Sequence, residues 1–160
     1  MVLDKQLGNG CTWINLDIEK IKNLEDLSEI YGLDKETIEY ALDRNERAHM
    51  DYNRENGTVT FIYNVLDLEK DKEYYEAIPM TFIVEKQRII TISNHKNAYV
   101  IERLLTYLKT HETISIYKFL FASLELISNA YYPVIEEMDK SKDEISALLR
   151  QTTTNKNLFA

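Results

Sequence analysis

Glu36, Glu39 and Asp43 stand at i, i+3 and i+7, a spacing that stacks three carboxylates along one side of a helix. Hard cations such as Mg2+ take oxygen ligands, often one or two carboxylates with water completing the octahedron. Acids that are simply solvated, with Glu36 favoured near a helix amino end, have the same spacing. On the residues alone both readings stay open. His49, His95 and His111 are far apart, with no His-x-x-x-His or Cys-x-x-Cys spacing, so a zinc site would need long-range convergence on few soft ligands. Cys11 is the single cysteine; it excludes an intrachain disulfide and fits a reducing compartment. Nothing local activates its thiol. With four glycines, Gly8, Gly10, Gly32 and Gly57, neither a phosphate-cradling loop nor a dinucleotide fingerprint can be written. No local nucleophile–base pair is present, and an enzyme is not expected.

The elements that must position these groups belong to a chain of 160 residues, 44% apolar and 29% charged, enough for one packed domain and too apolar for disorder. Against 19 basic side chains there are 27 acidic ones, a net charge of −8. That excess disfavours nucleic acid or an anionic membrane as the main partner and favours cations or basic partners. The start, Met1-Val2-Leu3-Asp4-Lys5-Gln6, lacks a signal pattern, and no apolar run reaches membrane-span length. The chain as given is therefore expected to be soluble and cytosolic.

Trp13-Ile14-Asn15-Leu16, after the Gly8-Asn9-Gly10 turn signal, reads as a first strand. Ile18, Ile21, Leu24, Leu27 and Tyr31 recur every three or four residues and predict an amphipathic helix of about three turns. Gly32 ends it, and Asp34 caps a second, shorter helix carrying Ile38, Ala41 and Leu42 on one side and Glu36, Glu39 and Asp43 on the other. Residues 47–53 and 58–66 flank Asn56-Gly57 as a hairpin. The run Glu69-Lys70-Asp71-Lys72-Glu73 is a solvated loop, and residues 74–84 and 88–93 form a second hairpin about Glu85-Lys86-Gln87. Ile89-Ile90-Thr91-Ile92 has the continuous apolar character of a strand covered on both faces. A helix is expected over 97–109. From Tyr117 to Leu148 apolar residues follow a 3-4 spacing through more than four heptads, predicting one long coiled-coil-like helix kinked near Pro133. Residues 151–160 lose periodicity; a seam left uncovered there is expected of a fragment cut from a longer chain. The tyrosine pairs at 74–75 and 131–132 are read as amphipathic rims.

The expected fold class is thus α/β, an α+β mixed sheet flanked by helices, with a long C-terminal coiled-coil-like helix. Its parts are an α/β domain over 1–112, the long helix over 113–150 and an irregular tail over 151–160.

Read in order, Trp13-Ile14-Asn15-Leu16, Tyr31-Gly32-Leu33-Asp34 through Ala41-Leu42-Asp43 to Arg47, Asp51-Tyr52, Phe61-Ile62-Tyr63, Met80-Thr81-Phe82-Ile83-Val84, Arg88 to Ile92, and Tyr131-Tyr132-Pro133-Val134-Ile135-Glu136-Glu137 resemble the cytoplasmic N-terminal domain of the CorA-type magnesium transporter family. The resemblance covers about residues 11–150. It implies a homopentameric channel for Mg2+, passing Co2+ or Ni2+ in some members, with zinc-transporting members sharing the architecture. A stalk helix leads to two transmembrane helices, and Gly-Met-Asn follows the first. This chain contains no Gly-Met-Asn, so the expectation is a regulatory fragment, a monomer or weak oligomer by itself, at the cytoplasmic face of a cell membrane reached only through helices it lacks.

The same resemblance implies gating by Mg2+ bound between neighbouring domains. Glu39 matches the first acidic position on the second helix, but Tyr40 occupies the second, and the long-helix pair falls at Asn129 and Ala130. Metal binding is therefore expected to be weak or absent in the fragment, centred on Glu39 with help from Glu36 or Asp43. The functional expectation is a domain that senses intracellular cation and couples it to the pore. The alternative is a stand-alone α/β module whose heptad helix binds another protein.

Overall fold

Short apolar runs separated by Asx and glycine turns become six strands, and the 3.6-residue patterns become helices on both sides of them. The structure, a computed structural model, describes residues 2–72 and 74–152. In chain order it has β1 (Leu3–Gly8), β2 (Cys11–Asp17), a 3-10 turn at Ile18–Lys20, α1 (Glu25–Glu29), α2 (Lys35–Leu42), β3 (His49–Asn53) and β4 (Thr58–Leu66). Then follow β5 (Ala77–Val84), β6 (Arg88–Ser93), α3 (Ala98–Leu108), α4 (Ile116–Asn129) and α5 (Tyr132–Thr152). One compact unit ends at Ile127 and a second begins at Ser128. The division falls beyond the expected 112/113 because α4 carries core residues: Phe119 is buried, its ring centroid 4.8 Å from that of Trp13.

The sheet order is β1-β2-β6-β5-β4-β3. All neighbouring pairs are antiparallel except β2 and β6, which run parallel with Asn15 opposite Thr91. Leu16, Ile83, Ile90 and Ile92 pack on one face against Leu27 and Leu33, with Ile18, Ile38 and Ala41 around them. The α1–α2 segment therefore covers this face. On the other face α4 meets Trp13, and α3 lies along Leu3 and Lys5 of β1. Ile89 and Ile90, adjacent and both fully buried, confirm a strand covered on both sides. Each fully buried aliphatic side chain of this kind contributes about 1.5–3 kcal/mol.

A buried polar chain runs along the parallel pair. The Trp13 indole donates to Thr91 Oγ1 at 2.9 Å, the Thr91 hydroxyl donates to Asn15 Oδ1 at 2.7 Å, and the Asn15 amide donates to Ser93 Oγ at 3.0 Å. Removing these groups from water is tolerated because each has a partner.

Several elements differ from the sequence expectation. β1 was not foreseen; it pairs with β2 across the Gly8-Asn9-Gly10 turn. Gly8, at φ 125, has a conformation that side chains disfavour, and a Cβ there would lie 2.6 Å from Thr113 Cγ2. The three-turn helix over 18–31 is instead a 3-10 turn and the short α1. Asp17 Oδ1 accepts from Glu19 N and Asn23 Oδ1 from Glu25 N, so two Asx side chains each begin a new local structure rather than letting one helix run on. The β3–β4 turn is a four-residue loop: Gly57 N donates to Asn53 O at 2.9 Å, and only Gly57 in it has positive φ. The long helical segment is interrupted at Ala130 and Tyr131, two residues before the predicted kink. Pro133 lies in the first turn of α5, where its missing amide has no intrahelical acceptor to leave unpaired. α5 continues through Gln151 and Thr152, and the rest of the expected irregular tail lies outside the described residues.

Candidate functional site

Asp34 starts α2 by accepting a hydrogen bond from Thr37 N at 2.7 Å. That fixes the helix phase and puts Thr37 inward, its hydroxyl 3.4 Å from that of Thr60 on β4. Glu36, Glu39 and Asp43 are thereby placed along α2, but each has a different partner. Glu36 accepts a 2.6 Å hydrogen bond from the Tyr40 hydroxyl. Glu39 lies 3.4 Å from the exposed Lys35 ammonium and is itself 63% exposed. Asp43 follows the last turn of α2, and its carboxylate accepts from Asn45 N at 2.8 Å.

Tyr40, expected from the resemblance to fall at an acidic position, closes a network of its own. Its bond to Glu36 pushes its pKa up to about 12, because the phenol proton is held by the carboxylate and ionisation beside it is opposed. Its ring meets the edge of His49 at 4.9 Å. His49 donates to Arg47 O at 2.7 Å and lies 3.5 Å from Glu46 and 3.6 Å from Asp51. Asn129 is the last residue of α4, and the following Ala130 is buried. The α2 carboxylates thus do not converge on a common point, and among the described residues no group of three or more His, Cys, Asp or Glu side chains is arranged to hold a metal ion.

Charged groups that the sequence did not single out meet at the carboxyl ends of β2 and β6. Glu19 accepts from both His95 N, at 3.0 Å, and His95 Nδ1, at 2.6 Å. These bonds to the imidazole and amide hold its carboxyl below the usual range. Asp67, 3% exposed, is 2.6 Å from Lys96 Nζ. Burial pushes its pKa up, but the Lys96 ammonium and the Glu69 amide outweigh that and leave it lowered, with Lys96 raised in return. Residues 76 and 29 positions apart form these pairs, so no local spacing announces them; the only sequence signal is the polar run Asn94-His95-Lys96 directly after an apolar strand.

The architecture is that of a helix-flanked mixed α/β domain followed by a long helical segment. A family model described as CorA-like Mg2+ transporter protein matches residues 8–160, and the chain belongs to that family. It is a family of transporters rather than of enzymes.

The fold is similar to that of the soluble domain of CorA from Methanocaldococcus jannaschii, with a TM-score of 0.66 at 18% identity over 92% of this chain and 58% of that one. It is also similar to the complete CorA magnesium transporter from the same organism (TM-score 0.67, 17% identity, 91% of this chain and 46% of that one). A third match is the ZntB cytoplasmic domain from Vibrio parahaemolyticus RIMD 2210633, at TM-score 0.66 and 11% identity, covering 84% of this chain and 54% of that one. The chain thus spans about half the length of these structures. No protein of curated function matches at a significant level. Among the described residues no helix is long and apolar enough to cross a membrane.

Proposed function

We propose that this chain is the cytoplasmic cation-sensing domain of a CorA-type divalent-cation channel, one that assembles as a homopentamer through a longer chain and is coupled to the pore by its long helices. The family match over residues 8–160 carries this reading. The helical segment supports it, since α4 begins in the core and α5 carries exposed apolar residues Ile135, Met138, Ile145 and Leu148 in an interrupted seam of the kind helical partners cover. That seam also favours the second reading, a module that binds another protein.

The α2 side chains shape the sensing role. Glu36 is committed to Tyr40 and Asp43 to its own turn, leaving Glu39, whose exposed ion pair with Lys35 is worth only about 0.3–0.5 kcal/mol. Mg2+ sheds water reluctantly, and a single exposed carboxylate already paired with an ammonium offers it little in exchange. Its binding to a single protomer is accordingly weak and centred on Glu39, and Co2+, Ni2+ or Zn2+ would meet the same ligands. The test is transport by the full-length channel in liposomes with and without Glu39→Ala. Loss of Mg2+-dependent closure is expected, and closure unchanged in the variant would remove Glu39 from sensing. A full-length chain without ion conductance would overturn the channel reading and favour the interaction module.

A further inference from the structure

We propose that the crevice outside the carboxyl ends of β2 and β6 is a binding site for a small zwitterion of the α-amino acid class. The inference does not rest on the cation-sensing reading, and the two substitutions that test it, at Arg44 and Glu76, lie outside the Glu36, Glu39 and Asp43 set.

Topology comes first. β2 and β6 are adjacent and parallel. The chain leaves β2 for helices on one face and leaves β6 for helices on the other, which makes their carboxyl ends a switch point, the place where open α/β sheets bind ligands. A crevice of about 690 Å3 opens there, bounded by Ile18 and Glu19 after β2 and by Asn94 to Lys96 after β6. Its size falls within the roughly 300–1,000 Å3 of small-molecule sites. The space exists because β5 pairs with β6 only over Thr81–Val84, so the start of β5 runs past its neighbour. Pro79 stands on that overhang and lines the crevice. A proline there has no amide to leave unpaired at the open edge.

Charge then selects the ligand. Two of the lining basic side chains are already matched, His95 by Glu19 and Lys96 by Asp67. What is left is of both signs. Arg44 makes no hydrogen bond or ion pair with any described residue. Glu76 stands 3.9 Å from a Lys96 that Asp67 holds more closely. A polyanion would meet Asp43, Glu76 and Glu19; a bare divalent ion would meet Arg44 and Lys96 and finds no convergent ligand set. A molecule with one carboxylate and one ammonium matches both kinds of unspent charge. Leu42, Ile78 and Pro79 supply an apolar wall for an aliphatic body.

The experiment is an amide NMR titration of the 160-residue protein in the absence of divalent cations, with L-leucine as probe. Isoamylamine and 4-methylpentanoate, which each keep the aliphatic body and one of the two charges, are the companion probes. L-Leucine is expected to give saturable shifts centred on the amides of Arg44, Asn45, His95 and Lys96, with each half-molecule binding at least about tenfold more weakly. Arg44→Ala should weaken L-leucine several-fold while leaving isoamylamine unaffected, and Glu76→Gln should do the reverse with 4-methylpentanoate as the unaffected probe. Both side chains are on the surface, so folding is expected to survive. No saturable shift by about 10 mM, shifts centred elsewhere, a half-molecule that binds as tightly as L-leucine, or indifference to both substitutions would each overturn the site.

Discussion

Thr91→Val is the sharpest probe of what holds the centre of the sheet. The two side chains have nearly the same shape, and Thr91 is fully buried, so packing is conserved while one hydroxyl is lost. That hydroxyl accepts from the Trp13 indole and donates to Asn15 Oδ1, and neither of those atoms has another hydrogen-bond partner among the described residues. The substitution therefore orphans a buried donor and a buried acceptor together. At about 1–3 kcal/mol for each unsatisfied group, the loss is roughly 2–6 kcal/mol out of a total stability of about 5–15 kcal/mol. Thr91→Ser is the matched control: it keeps the hydroxyl, gives up one methyl group and should cost about 1 kcal/mol. Urea unfolding followed by fluorescence reports on this spot directly, because Trp13 is the chain's single tryptophan. With a denaturant slope of about 1–3 kcal/mol per molar, the Thr91→Val midpoint should fall by about 1 M or more. If Thr91→Val costs no more than Thr91→Ser, the polar chain along β2 and β6 contributes nothing net and the argument from unsatisfied groups is wrong.

Lys96→Met should destabilise the protein near neutral pH by stranding the buried Asp67 carboxylate. Because Asp67's folded pKa is lowered, its stabilising effect is complete above the ordinary carboxylate range and is lost as pH falls through the lowered value. Melts from pH 7 to pH 3 should therefore show the wild-type advantage over Lys96→Met shrinking in acid, and an advantage independent of pH would refute the pairing. Pro133→Ala should move the melting temperature little, since a proline in the first turn of α5 removes no helical hydrogen bond; a rise of several degrees by calorimetry would mean the interruption at Ala130–Tyr131 is imposed by the ring. Calorimetric titration of the isolated chain with MgCl2 should give millimolar binding at best, weakened by Glu39→Ala, whereas micromolar affinity surviving that substitution would place cation sensing elsewhere. Light scattering of the isolated chain should give a monomer or weak oligomer, and a tight pentamer at micromolar concentration would show that these residues suffice for assembly.

The elements legible in the sequence were those whose period and punctuation agree. Val59, Phe61, Tyr63 and Val65 alternate in β4, Asp34 caps α2, and Ile89-Ile90-Thr91-Ile92 is apolar without alternation because helices cover both its faces. Where local signals compete, periodicity misleads. Ile18 and Ile21 keep helical spacing with Leu27 and do face the same core, yet Asp17 and Asn23 offer the backbone nearer hydrogen bonds and divide the segment. β1 was hidden for the opposite reason. Its burial pattern is mostly exposed with Leu7 alone fully buried, as suits an edge strand, and such a strand carries little apolar signal.

The candidate site separates along the same line between local and long-range information. A helix periodicity places Glu36, Glu39 and Asp43 on one element, but it says nothing about what each carboxylate touches once folded. Tyr40 is the instructive case. A carboxylate at that position would add a second anion beside Glu36 and raise the pull on a cation. The phenol instead donates its proton to Glu36 and sets its ring against His49, which in turn stands near Glu46 and Asp51. Tyr40 thus leaves the acids of α2 largely satisfied from within. Glu19 with His95, and Asp67 with Lys96, are the reverse: residues with no local motif that become a charged crevice only because β2 and β6 lie side by side and release the chain to opposite faces. In this fold the carboxylates that look like a site in one dimension have found partners on their own helix and turn, and the unspent charge collects where the topology opens the sheet.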